Sequence, residues 1–198
     1  MGKFDYTQHS LGVSMVKSQS NPFSYVLKKE IMFICDIVRS CKIFLSLFNE
    51  ETLFRGTFDD NYIVDYKSGA VFKEKQEQGE FYQLFLAVYA DEISLVNPLG
   101  SARHTNKFWQ VYGQLLNIPK ELRSKLDSIF LIASIDTNHI TKYSLNRCMK
   151  PIISSLKLSQ NPFEHEGYSK PLKVTVLNFI GDSPGSNFFA GNFCITIP

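Results

Sequence analysis

The 198 residues carry 21 Lys+Arg against 19 Asp+Glu, a formal net charge of +2. That length suits one domain with an appendage, and near-neutrality excludes a generally polycationic nucleic-acid coat while leaving room for a local basic patch. With 44% hydrophobic and 20% charged residues, wholesale disorder is excluded as well. The cysteines (Cys35, Cys41, Cys148, Cys194) and histidines (His9, His104, His139, His165) are scattered without zinc-site spacing. Buried or free thiols in a reducing compartment are the expectation. The start, MGKFDYTQHS, lacks the apolar core of a signal peptide, and Tyr6 stands where a myristoylation signal needs Ser or Thr. The most apolar stretch, Ile31 to Phe48, is broken by Asp36, Arg39 and Lys42, so it is not a membrane span. A soluble intracellular protein is expected.

Residues 1–20 are polar and Ser-rich and read as a flexible tail. Residues 21–80 read as an N-terminal helical segment and connector. From Ser24 the apolar positions run through Val26, Ile31, Phe33, Ile34, Ile37, Val38, Cys41, Phe44, Leu45 and Phe48, the later ones at the i, i+3, i+4 spacing of an amphipathic helix. Asn49-Glu50-Glu51 opens a short helical turn, and Asp65 to Gly69 makes another turn before the charged run Lys73 to Glu80. Strands follow. Tyr82 to Ala90 (YQLFLAVYA) is apolar and aromatic enough for a strand buried on both faces. Asn97 to Asn106 is loop, Lys107 to Leu116 a second strand, Lys120 to Ser128 a short helix after Pro119, and Ile129 to Ile135 a third strand. Asp136 or Thr137 caps the next helix, which runs through Leu156 with a kink at Pro151. Asn161 to Pro171 is a polar loop and Lys173 to Ile180 a fourth strand.

Two strands stop at a carboxylate: the first at Asp91, the fourth, through Gly181, at Asp182. In open α/β sheets ligands bind at the C-terminal rim of the strands. Two carboxylates brought together repel unless a cation lies between them, and Mg²⁺ takes hard oxygen ligands of this kind. Asp after a strand is also an ordinary terminator or helix cap, and that alternative stays open on the residues alone.

A resemblance adds to this. The stretches SLFNEETLF (Ser46 to Phe54), YKSGAVFK (Tyr66 to Lys73), LFLAVYADEISLVNPLGS (Leu84 to Ser101), NIPKELRSKLDSIFLIASI (Asn117 to Ile135) and FIGDSPGSNFFAGN (Phe179 to Asn192) resemble animal DDE-type transposase-derived proteins, whose core is RNase H-like. Asn97-Pro98-Leu99-Gly100-Ser101 is the most specific of these elements, and the likeness spans about Tyr25 to Asn192. The resemblance implies an α/β fold with an incomplete RNase H-like core: a three-stranded meander, a helix and a fourth strand, over 81–192, with 193–198 an aberrant tail. It implies Asp91 and Asp182 as the first two acids of a catalytic triad that hold Mg²⁺ or Mn²⁺, weakly. It implies Mg²⁺-dependent DNA phosphodiester hydrolysis and strand transfer as the ancestral activity. No Asp or Glu follows Asp182, so the third acid has no match and this chain is expected to be inactive. Glu92 is a poor substitute, because adjacent strand residues point to opposite faces.

Arg103, His104 and Lys107 cluster near Trp109, a combination suited to phosphate contact and base stacking. A solvated hairpin loop is the competing reading. Lys120, Arg123 and Lys125 share their short helix with Glu121 and Asp127 and read as a solvated face. DNA, a second copy or a parent transposase are the expected partners, with no membrane, in nucleus or cytoplasm. The rival class is a non-catalytic protein- or DNA-interaction module.

Overall fold

The computed structural model describes residues 6–17, 25–54, 65–70, 72, 74, 79–94 and 107–181. Asp182, Arg103, His104 and the tail 193–198 lie outside these residues, as does the loop 97–106.

The apolar runs become the middle of a mixed α/β sheet. β1 (Tyr6–Lys17), β2 (Tyr25–Cys35), β3 (Tyr82–Ser94), β4 (Lys107–Leu115), β5 (Ile129–Asp136) and β6 (Leu172–Ile180) are ordered β1-β2-β5-β4-β3-β6. Neighbours are antiparallel except β3 and β6, which run parallel from Tyr82 opposite Leu172 to Tyr89 opposite Ile180. The β3–β6 ladder shifts register between Leu86 and Ala87, and the β4–β5 ladder between Val111 and Tyr112.

One face of the sheet carries the main core. Leu84, Leu86, Val88 and Ala90 of β3 alternate into it, beside Trp109, Val111 and Leu115 of β4 and Val174 and Val176 of β6. Two amphipathic helices cover that face: α1 (Ile37–Leu45), through Ile37, Cys41, Phe44 and Leu45, and a later helix over Leu145–Leu158, through Cys148, Met149, Ile152 and Leu156. The Phe44 and Phe130 rings meet at 5.8 Å. Gly113 of β4 is required here, because a Cβ would sit 2.6 Å from the Phe130 ring. On the opposite face Phe85 is also buried, against the Phe72 ring at 5.2 Å. So β3 is covered on both sides over its first half, as its unbroken apolar run predicts.

Several expectations are corrected. The segment read as a flexible tail forms β1 over Tyr6–Lys17, and the first half of the expected N-terminal helix is β2. Both joins tie them to the sheet: Ile34 pairs with Ala133, and Leu11 is buried. The physical reason is period. Leu11, Val13 and Met15 alternate by two, whereas the helical spacing begins only near Ile34. Asp36 then stops β2 and starts α1, its carboxylate accepting from the Arg39 N–H at 3.0 Å. Next, α2 is a single turn, Glu50–Phe54, with the Asn49 side chain accepting from the Thr52 N–H at 2.8 Å. The helix after Pro119 is shorter than expected: α3 covers Lys120–Arg123 and a 3₁₀ turn Leu126–Ser128 follows. The expected single helix after β5 is two, α4 (Thr137–Tyr143) and α5 (Leu145–Leu158). The break falls at Ser144, which has φ +68°, and Pro151 lies inside α5. Asp136 caps α4 by accepting from the Asn138 N–H.

Polar side chains fasten the loops. The buried Asn117 accepts from the Phe85 N–H at 2.7 Å and donates to the Gln83 carbonyl at 3.0 Å, joining the β4–α3 turn to β3. The Tyr168 hydroxyl donates to the Leu45 and Phe48 carbonyls behind α1, and Glu50 accepts from the Tyr82 hydroxyl and the Ser169 N–H. Burial, and then Glu50, push Tyr168 up to about 12. Cys35, Cys41 and Cys148 are buried free thiols, and burial pushes Cys35 up to about 12. Among the described residues no helix is long and apolar enough to cross a membrane.

Candidate metal and nucleic-acid site

Asp91 lies within β3, not after it, since the strand continues to Ser94. It pairs with Gln110 of β4, is partly buried, and its Oδ2 accepts from the Tyr89 hydroxyl at 3.1 Å. The i, i+2 relation puts both side chains on the face away from α1 and α5. The β4 neighbour of Tyr89 is Tyr112, and their rings are near-parallel at 6.3 Å and 24°. A groove of about 410 Å³ runs beside this pair, lined by Ala87, Gln114, Leu126, Ile129 and Ile180 as well as the two rings.

The second acid is where the description ends. β6 ends at Ile180, Gly181 after it is the last described residue before Asp182, and the final ladder pair, Ile180 with Tyr89, lies two residues before Asp91 on β3. Among the described residues no group of three His, Cys, Asp or Glu could hold a metal ion. A hard cation takes several oxygen ligands, and among the described residues Asp91 is not joined by two further groups of this kind. No chemical step through a metal follows from these residues.

Of the expected nucleic-acid residues, Lys107 and Trp109 are described, while Arg103 and His104 lie outside the described residues. Lys107 opens β4 and its ammonium is paired with the Glu92 carboxylate. Glu92 itself faces Trp109 across the ladder. Trp109 is a core residue at 9% exposure, sharing a face with Val111 and Leu115. Its parity in β4 takes the ring into the core. Of the basic short helix, Arg123 is not a solvated residue: its guanidinium grips the Asp65 carboxylate with two nitrogens and donates from Nε to the Ile118 carbonyl.

A second cavity, about 480 Å³, lies along the loop before β6 and is lined by His165, Tyr168 and Lys170 among others. Burial, then the Lys42 ammonium, hold His165 below its usual value. Two further arrangements escaped the sequence. The Tyr89–Tyr112 pair was foreshadowed by aromatic residues on two adjacent strands, but the register that aligns them is tertiary information. The polar knot at Lys67 and Asn117 carried no motif.

No protein-family model, no curated protein and no solved structure matches the chain.

Proposed function

We propose that the chain is a transposon-derived, partial DDE-type core, built on an RNase H-like sheet and inactive as a nuclease or strand transferase. The observation that carries this reading is topological. A meander β3-β4-β5 is followed by a helical crossover and by β6, which returns parallel to the first strand of the meander and beside it. This arrangement brings the C-terminal end of β6 alongside the part of β3 that leads into Asp91. It supports Asp91 and Asp182 as remnants of one acidic pair, with Mg²⁺ or Mn²⁺ as the ion and DNA as the ancestral substrate. Two carboxylates would hold such an ion weakly, since ligand number and charge set affinity. Loss of one member of a catalytic unit removes most of its rate.

The test pairs ion binding with activity. Mn²⁺ added to labelled protein should broaden resonances around Asp91, with millimolar-range affinity as an order of magnitude, and Asp91→Asn or Asp182→Asn should abolish it. A labelled DNA duplex should remain uncut with either metal. Broadening that survives both substitutions sinks the metal reading. Cleavage that is lost in either variant overturns the proposed inactivity.

The rival reading, an interaction module without chemistry, is favoured by one feature. Among the described residues β1 is one of the two outer strands of the sheet and runs for 12 residues, the kind of edge to which a pairing strand adds.

A further inference from the structure

Among the described residues Lys67 is a buried cation with no carboxylate in a salt bridge to it. Its side chain is 6% exposed, and Nζ donates to two backbone carbonyls, Asn117 at 2.5 Å and Leu53 at 3.3 Å. The carboxylate of Asp65, which draws on the ammonium, is already gripped by both guanidinium nitrogens of Arg123. The Arg123 guanidinium lies close enough to repel the ammonium. On α2, which supplies the Leu53 carbonyl, Glu50 is turned to Tyr82 and Ser169, and Glu51 is exposed. On the β4–α3 side Lys120 and Glu121 are exposed.

The acceptor count suits the uncharged group. An ammonium has three N–H donors and no lone pair to lose, whereas a neutral amine has two. Two carbonyls accept here. Deprotonation therefore keeps both hydrogen bonds and removes the cost of holding a charge out of water.

We propose that Lys67 is a latch that fastens the connector before β3 to α2 and to the β4–α3 turn, and that it tightens as the medium becomes alkaline. This inference is independent of any transposase origin. It rests on the meeting of three separate parts of the chain at one amine, through Leu53, Lys67 and Asn117. Asn117 in turn holds the backbone of β3 at Gln83 and Phe85, so the latch acts on the strand that carries Asp91.

The sign is set by linkage. Burial first, then Arg123, lower Lys67 from 10.5 to about 8, against the opposing pull of Asp65. Between those two values the unfolded chain binds more protons, so stability rises with pH across that window. Below it the penalty is fully present, and above it the penalty is gone.

The direct experiment is an NMR titration of the wild-type chain with labelled lysine side chains, Lys67 being assigned by the signal missing from Lys67→Arg. A midpoint near 8, two or more units below the other lysines, is the expected result. A midpoint at or above the ordinary lysine value overturns the proposal. Thermal melts give a second readout. Relative to Lys67→Met, which cannot titrate, wild-type Tm should rise by roughly 5–10 °C between about pH 7.5 and pH 10. Parallel pH profiles for the two proteins would overturn it equally.

Discussion

The two ends of the sheet are made differently. β3, β4, β5 and β6 pair along most of their lengths and bury apolar side chains against α1 and α5. The β1–β2 hairpin pairs internally from Tyr6 opposite Cys35 to Lys17 opposite Tyr25, yet joins β5 at one register pair, Ile34 with Ala133. The central strands are strands because their side chains are excluded from water. The outer hairpin is a pair of strands because each supplies the other's backbone hydrogen bonds and, among the described residues, because Leu11, Met32, Ile34 and Cys35 reach the core. An isolated two-stranded ribbon is marginal in water, so this join is what holds it. The contrast teaches that one sheet can hold a rigid body and a weakly anchored arm.

Mutation in the body should cost most. Phe130→Ala removes a ring that is 1% exposed and packed on Phe44, and should cost about 3–5 kcal/mol in chemical denaturation. Gly113→Ala presses a methyl into the same ring and should cost about 1–3 kcal/mol. If Phe130→Ala proves as mild as a change in the hairpin, the contrast fails. Next comes the clasp outside the main core. Arg123→Ala removes the guanidinium that grips the Asp65 carboxylate, whose side chain is 17% exposed, and should cost about 1–3 kcal/mol. Where the two regions meet, Asp36→Ala deletes the cap that turns β2 into α1 and should cost about 1 kcal/mol. Native-state hydrogen exchange sharpens the comparison directly: amides of Leu86 and Val88 should open only with global unfolding, those of Val13 and Met15 well before it. Protection of the hairpin equal to that of β3 would show the arm to be part of the body.

The smallest effect is acidic. His165 is held below its ordinary 6.5 by burial and Lys42. The unfolded chain therefore binds the proton first, and stability should fall slightly as pH drops through 6.5 and below. His165→Gln should flatten that limb of the profile; an unchanged slope would assign it to another group.

The strands over 82–90, 107–116, 129–135 and 173–180 were legible because burial on a sheet demands long apolar runs, and four such runs stood in the sequence. The β1–β2 hairpin was not read, although Leu11, Val13 and Met15 alternate, because its stability rests on a partner strand that no local window contains. The same holds for the site. Asp91 could be placed on β3 from sequence, but not its hydrogen bond from Tyr89, nor the burial of Trp109, which is a matter of parity within β4. Lys67 looked like one lysine of many until the fold gave it two carbonyls and took away its carboxylate.

The parallel pairing of β3 with β6 has a consequence during synthesis. β3 finds its antiparallel neighbour β4 soon after it is made, but the partner of Tyr82 on the other side is Leu172, 90 residues later. At about 5–20 residues per second, a ribosome needs roughly 5–20 s to supply that strand. Throughout this interval the nascent chain holds β3 as a naked edge beside the side chains of Leu84, Leu86 and Val88, which are fully buried in the finished fold. A trigger-factor-like holdase that covers this edge, or a translational pause after β6, would alter soluble yield without touching the finished fold, whereas a pause placed between β5 and β6 should prolong the vulnerable state.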